Sequence, residues 1–285
     1  MVSAGSKVGI VCCSNGMPTE AVAQMKKLEG YLSGLGLIPV FGEYIYRQDG
    51  VFSGTPRQRA ESLMNFYKDK EIQAIFDISG GDLANEILPW LDFELIGESG
   101  KQFWGYSDLT TVINAIYAKT GRTSVLYQVK NLVSEKGSFR KRDFEKTLLS
   151  GKRDLFDISF EFLEQDHLQG ILVGGNIRCL LKLAGTEYWP DMNEKVLLLE
   201  SLGGDVPKMA TYLSQLNQLH VFEQVRGILL GTFTEMEKNG LRPSVEELVR
   251  RYTGEKIPIV KTQEIGHGKD AKAALIGGKI DLSCG

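Results

Sequence analysis

The sequence predicts an α/β protein, a doubly wound and mostly parallel sheet followed by a second α/β unit. Three observations carry that expectation. Short apolar runs of strand length alternate with stretches whose apolar residues recur at helical spacing. The helical stretches are long enough to cross over a sheet and cover both of its faces. A charged, aperiodic stretch, SEKGSFRKRDFEKTLLSGKRDLFDISFEFLEQ, then separates this first group of elements from another.

Taken in order, residues 7–13 form the first strand, and residues 19–35 the first helix, with Ala21, Val22, Met25, Leu28 and Leu32 along one face. Residues 37–41 are the second strand. Thr55-Pro56-Arg57-Gln58 has the form of a capping box, with Thr as N-cap, Pro in the first helical position and Gln three residues on. Ala60, Leu63, Met64 and Tyr67 make the apolar face of the helix it opens. Residues 72–78 are a third strand running into Ser79-Gly80-Gly81; residues 83–90 read as helical and 101–106 as a fourth strand. A helix over 110–119 is closed by Gly121. The second unit opens on Gly170-Ile171-Leu172-Val173-Gly174-Gly175-Asn176, with strands at 195–199, 225–230 and 257–260 and helices at 177–183, 208–216 and 245–251. The expected organisation is therefore a first domain over 1–130, a connecting segment over 131–165 and a second domain over 166–285.

With 285 residues, 42% hydrophobic and 24% charged, the chain is long enough for two cores. A net charge of -3 and a pI near 5.8 give no electrostatic reason to expect nucleic acid or an anionic membrane surface as partner, so a small-molecule substrate is expected. No apolar stretch approaches the roughly 20 residues of a membrane-spanning helix, and the N-terminal apolar run lacks a basic leader, which points to the cytosol. Cys12, Cys13, Cys179 and Cys284 have no C-x-x-C spacing, and neither a disulfide framework nor a metal site is expected.

Gly105-Tyr106-Ser107-Asp108 sits where the fourth strand meets a helix. A G-x-S-x-G elbow would need glycine at 109, where this chain has Leu109, and serine is in any case a common helix cap. The motif alone favours the cap, with Asp108 or Thr110 as alternative capping residues. Glu200 follows the apolar run Val196-Leu197-Leu198-Leu199, where a carboxylate reads first as the surface residue of a loop. His267 lies between Gly266 and Gly268 and is one of only three histidines, with His167 and His220. The order Ser107, Glu200, His267 is that of hydrolases with the acid in the middle and histidine last. Serine needs an imidazole to accept its proton, the imidazole needs a carboxylate to fix its tautomer, and backbone N–H groups must face the developing oxyanion. The N–H groups of Gly81 and Asp108 are the candidates for that hole. The alternative for SGGD and VGGN, a phosphate cradle, lacks both the Gly-Lys-Ser/Thr of a P-loop and G-x-G-x-x-G spacing. Arg57 and Arg59 are expected at a helix start facing solvent or a neighbouring acid, and Trp90 and Trp189 as packing residues.

These residues resemble a family of serine peptidases that includes the cytosolic LD-carboxypeptidases of murein recycling and the microcin C self-immunity proteins. The resemblance is carried by blocks spanning most of the chain: Arg57-Gln58-Arg59-Ala60, Leu88-Pro89-Trp90-Leu91-Asp92, Gly105-Tyr106-Ser107-Asp108, Val173-Gly174-Gly175-Asn176, Gly185-Thr186-Glu187-Tyr188-Trp189-Pro190, Leu199-Glu200, Gly231-Thr232-Phe233 and Gly266-His267. It implies an N-terminal Rossmann-like domain, a smaller β-rich C-terminal α/β domain, and an active site between them. It also implies Ser107 as nucleophile, Glu200 as acid, His267 as base, no metal or organic cofactor, and a homodimer. The implied activity is release of terminal D-alanine from murein tetrapeptides; the alternative is hydrolysis of aminoacyl- or peptidyl-nucleotides. The chain departs from the family pattern at Cys12-Cys13-Ser14, at Leu126-Tyr127-Gln128, and at Ser201-Leu202-Gly203-Gly204-Asp205 after the acid.

Overall fold

The computed structural model describes residues 2–134 and 139–284. In chain order, the first unit contains β1 (Lys7–Val11), α1 (Val22–Gly34), β2 (Ile38–Phe41), α2 (Pro56–Lys68), β3 (Ile72–Asp77), α3 (Phe93–Ser99), β4 (Gln102–Gly105), α4 (Thr110–Thr120), β5 (Ser124–Leu126) and α5 (Lys141–Ser150). The second contains β6 (Glu161–Glu164), β7 (His167–Asn176), α6 (Ile177–Leu181), β8 (Lys195–Ser201), α7 (Val206–Gln218), α8 (Val221–Gln224), β9 (Gly227–Phe233), α9 (Thr234–Lys238), α10 (Val245–Thr253), β10 (Ile259–Lys261), β11 (Ala274–Ile276) and β12 (Lys279–Ser283).

Two six-stranded sheets result, in the orders β11-β5-β4-β3-β1-β2 and β12-β7-β8-β9-β10-β6. Each is parallel at its centre, and β11, β12 and β6 add antiparallel edges. In the first sheet the order of β2, β1, β3, β4 and β5 is a doubly wound one with its reversal between β1 and β3, and ligands bind beyond the carboxyl ends of strands at such a point. Pairing of Val11 with Asp77 and of Phe76 with Trp104 brings those ends level. The turns that follow β1, β3 and β4 therefore meet, and they carry Ser14, Gly80-Gly81 and Ser107.

Alternation along the strands sorts the core into layers. Ile75 and Phe103 face the cluster formed with α2, α3 and α4, whereas Ala74, Phe76 and Trp104 face α1 and α5. The first of these clusters continues into the second unit through Leu172, Val196, Leu198, Leu229 and Val260, so one face of the second sheet shares a core with α4. Its other face is covered by α6, α7, α8 and α10. Asn114 of α4 fastens the junction: its side chain donates to Gly174 O at 2.9 Å and accepts from Gly174 N–H at 2.9 Å. Gly174 and Gly175 permit this approach. A Cβ on Gly174 would lie 2.3 Å from Leu198 O, and one on Gly175 would lie 2.8 Å from Thr110 Oγ1.

Several elements differ from the sequence expectation. The stretch read as a connecting segment contains α5 and β6; α5 buries Phe144, Thr147 and Leu148, and β6 pairs with β10. Residues 84–90 form a 3-10 helix carrying Pro89 rather than an α-helix. Strands β5, β11 and β12 and helices α3, α8 and α9 lie outside the elements expected from the sequence, and β11 leaves the second unit to pair with β5 of the first sheet. Among the described residues no helix is long and apolar enough to cross a membrane.

Phe144 packs against Tyr31, Phe76, Trp104 and Tyr127, with ring centroids 5.7 to 6.3 Å away. Its truncation removes the contact that holds α5 to the sheet, and Phe144→Ala is expected to lower stability by about 3–5 kcal/mol, measured as a shift in the urea midpoint at constant slope.

Candidate active site

β4 ends at Gly105, Tyr106 remains extended, and Ser107 then turns the chain with φ +58°. A residue with a Cβ is rare in that region, at a cost of about 1–3 kcal/mol, and such strain accompanies side chains that must be presented rather than packed. The turn is tight because Leu109 folds back on the strand: a Cβ on Gly105 would lie 2.8 Å from Leu109 Cβ. Glycine at 105 thus permits the close approach that glycine at 109 was expected to supply. Ser107 does not cap the helix, and neither alternative capping residue does so. Asp108 is fully buried and turned away from the helix; its carboxylate accepts from Ser14 Oγ at 2.6 Å, Ala84 N–H at 2.8 Å and Lys182 Nζ at 2.5 Å. Thr110 Oγ1 accepts from Asn176 N–H at 3.1 Å.

Glu200 lies near the end of β8, in register with Asn176 of β7. It is fully buried, contrary to the expectation of a loop-surface carboxylate. His267 follows β10 on a loop pressed against the end of β9, where Thr232 N–H donates to Ile265 O at 2.8 Å. The loop fits there because Gly231 and Gly266 have no side chains. A Cβ on Gly231 would lie 2.4 Å from Ile265 O, and one on Gly266 would collide with Thr232 Oγ1.

These three elements bring the three predicted residues into one relay. His267 Nδ1 lies 2.7 Å from Glu200 Oε2, and its Nε2 lies 3.0 Å from Ser107 Oγ. A carboxylate only accepts, so Nδ1 carries the hydrogen, and in the neutral imidazole Nε2 is then left to accept from the serine hydroxyl. The imidazole is only 11% exposed, and the ring of Tyr106 meets it edge to face at 5.0 Å. Burial, followed by the Glu200 charge, holds the Tyr106 phenol well above its ordinary pKa, so it remains a neutral wall. The other two histidines are exposed and pair with Asp281 and Glu223, outside this relay.

A cavity of about 460 Å³ opens over Ser107, lined also by Gly81, Asn176, Arg178, Leu202 and Lys208. Gly81 has φ +124°, and a Cβ there would collide with the side chain of Asn15, so only glycine holds this turn. Asp108 is the second residue of a helical turn that starts at Ser107, where the first N–H groups have no intrahelical acceptor. Gly81 thus lines the cavity beside Ser107, and Asp108 follows Ser107 directly in the chain. Gln128, at one departure from the family pattern, donates to Ser79 O at 3.0 Å and braces the turn that leads to Gly81, while Tyr127 beside it packs on Trp104.

Beneath the site Cys12 and Cys13 are buried; burial pushes the Cys12 thiol up to about 12 and raises Cys13 as well, so neither supplies a thiolate at neutral pH. Arg59 is buried rather than solvent-facing. It donates to Cys13 O at 2.5 Å and Leu83 O at 3.2 Å and pairs with Glu86, tying together the turns after β1 and β3. Arg57 pairs with Glu61 at the surface as expected, but Trp90, expected to pack, is half exposed beneath the Arg57 guanidinium. Sequence reading missed Ser14, Arg178 and Lys182, whose roles depend on partners far away in the chain. Among the described residues no group of three or more His, Cys, Asp or Glu side chains is placed to hold a metal ion.

Comparison with known proteins agrees with this architecture. Residues 8–127 match the LD-carboxypeptidase N-terminal domain and residues 169–282 the LD-carboxypeptidase C-terminal domain. The chain is 24% identical to the murein tetrapeptide carboxypeptidase of Pseudomonas aeruginosa, over 94% of this chain and 90% of that protein. It is also 24% identical to the microcin C7 self-immunity protein MccF of Escherichia coli, over 99% of this chain and 91% of that protein. The crystal structure of muramoyltetrapeptide carboxypeptidase from Oxalobacter formigenes superposes with a TM-score of 0.83 at 21% identity, covering 98% of this chain and 96% of that one. With both halves matched in order across most of its length, the chain belongs to the LD-carboxypeptidase family.

Proposed function

We propose that the protein is a serine LD-carboxypeptidase that releases terminal D-alanine from murein tetrapeptides. The observation that supports this most directly is the unbroken relay from Glu200 through His267 to Ser107, ending at a hydroxyl that faces the cavity. Ser107 Oγ attacks the carbonyl carbon of the LD bond while its proton passes to His267 Nε2. Glu200 holds the imidazole in the required tautomer and stabilises the imidazolium. Negative charge collects on the carbonyl oxygen, which the N–H groups of Gly81 and Asp108 meet; one such donor is typically worth about 3 kcal/mol of barrier. Collapse of the tetrahedral adduct breaks the C–N bond, and His267 returns the proton to the D-alanine amine. Water then enters, gives its proton to His267 and releases the shortened peptide from Ser107. On this reading the enzyme works in the cytosol on recovered wall fragments, as a homodimer.

A second reading keeps the chemistry and replaces the substrate with an aminoacyl- or peptidyl-nucleotide, as the similarity to a microcin C7 self-immunity protein suggests. It is the weaker reading because, of the ring-bearing side chains between Glu200 and β10 that could stack on a base, a single one lines the cavity. Tyr212 lines the cavity, whereas Phe222 and Phe233 are buried in the core and Tyr252 stacks on Phe222.

Ser107→Ala is expected to abolish D-alanine release, read by mass spectrometry of tetrapeptides carrying diaminopimelate or lysine, with unchanged circular dichroism; retained release would remove Ser107 as nucleophile. Glu200→Gln should keep the fold and lower kcat by roughly three to four orders of magnitude, as loss of the tautomer-fixing acid does in such relays. In a competition assay offering both substrates, the tetrapeptide should be consumed first, and preferential turnover of the aminoacyl-nucleotide would reverse the order of the two readings.

A further inference from the structure

Two cations at adjacent turns of the second unit reach into the first. Arg178 lies in α6 and Lys182 ends it, four residues apart and hence on one side of the helix. Arg178 Nη2 donates to Gly81 O at 3.0 Å, and its Nη1 pairs with the Asp82 carboxylate. Lys182 Nζ donates to Asp82 O at 2.8 Å and pairs with Asp108 Oδ1 at 2.5 Å. The other Asp108 oxygen takes the Ser14 hydroxyl and the Ala84 N–H, so that carboxylate is held on every side. One side of α6 therefore holds the Gly81 carbonyl and the Asp108 carboxylate, on the two residues whose N–H groups are assigned to the oxyanion.

We propose that Lys182 and Arg178 are positioning residues for oxyanion stabilisation. They set the spacing and aim of the Gly81 and Asp108 donors from the opposite unit, so the hole is complete only when the two sheets are docked. The inference rests on the serine-hydrolase reading above. The Lys182 side chain is 18% exposed and that of Asp108 0%, which separates this contact from the solvated surface pairs that contribute little. Without the ammonium, the Asp108 carboxylate would be left buried with no counter-charge from α6, and the peptide it belongs to would shift. Neither cation needs to touch the scissile bond. Their effect is on donors that must lie within a few tenths of an ångström of their working positions.

Steady-state release of D-alanine, together with thermal unfolding, tests the assignment on wild type, Lys182→Met, Lys182→Arg, Asp108→Asn and the Asp108→Asn/Lys182→Met double variant. Lys182→Met should lower kcat by about ten- to a hundredfold with KM within about twofold, the signature of an interaction felt in the transition state. Lys182→Arg should recover kcat to within about threefold of wild type, and the double variant should lose no more than the worse single one, because the two residues act as a unit. A folded Lys182→Met that keeps kcat, a loss confined to KM, failure of Lys182→Arg to recover, or additive losses would each overturn the proposal. Should Lys182→Met not fold, Arg178→Met carries the same criterion, since its partner Asp82 is exposed. A wild type that turns over neither tetrapeptide nor aminoacyl-nucleotide removes the hydrolase reading and this inference with it. An active wild type whose variants keep kcat removes the inference alone.

Discussion

One imidazole ring has to touch a hydroxyl carried by one sheet and a carboxylate carried by another. At 3.0 Å to Ser107 and 2.7 Å to Glu200, His267 has no slack, because hydrogen bonds weaken steeply once distance and angle drift. Much of the architecture follows from this requirement. The two sheets share a core through α4, and Asn114 bonds to both polar groups of the Gly174 backbone. Gly175 brings the end of β7 against Thr110, two residues beyond Asp108. Contacts of this kind join the two sheets across α4.

The polar groups below the site obey a related constraint. Asp77, Asp108 and Glu200 are all fully buried, and an unpaired buried carboxylate is costly. Each has at least one partner from another segment, while Glu200 Oε1 has no hydrogen-bond partner among the described residues. Asp77 accepts from Cys13 N–H and from both the N–H and hydroxyl of Ser79; burial still holds its carboxyl above the ordinary range. Asp108 has Ser14, Ala84 and Lys182, and Glu200 has His267. The turns after β1, β3 and β4 are consequently cross-linked to one another before any substrate arrives. Arg59 adds a cation to the same knot.

The parallel strands and their covering helices were legible because apolar periodicity records burial. The order of Ser107, Glu200 and His267 was legible because the chemistry admits few residue types. What local reasoning misjudged was orientation. A serine at a strand-to-helix turn looks like a cap, since the left-handed backbone of Ser107 depends on Leu109 closing against Gly105. A glutamate after four apolar residues looks exposed, since the histidine that justifies its burial lies far along the chain. Arg59, expected to face solvent or a neighbouring acid, does pair with Glu86, but its burial was not legible because its other acceptors are carbonyls of two distant turns. Helix α5 was not legible because its buried residues, Phe144, Thr147 and Leu148, form too narrow a stripe within a charged stretch to register as a period. Short strands such as β5 and β11 carry too few residues for alternation to emerge.

The path of the chain through β10, β11 and β12 also sets an order of events during synthesis. The segment carrying His267 leaves the second sheet at Lys261, crosses to pair Ala274–Ile276 with β5, and returns to pair Lys279–Ser283 with β7. Until residues 274–276 leave the ribosome, β5 is an open sheet edge, a template for unwanted strand pairing. On the proposed mechanism Ser107 is present through the same interval without its base, so the nascent chain carries an inert hydroxyl. Closing the exposed edge and bringing the imidazole to Ser107 and Glu200 are thus consecutive parts of one late step.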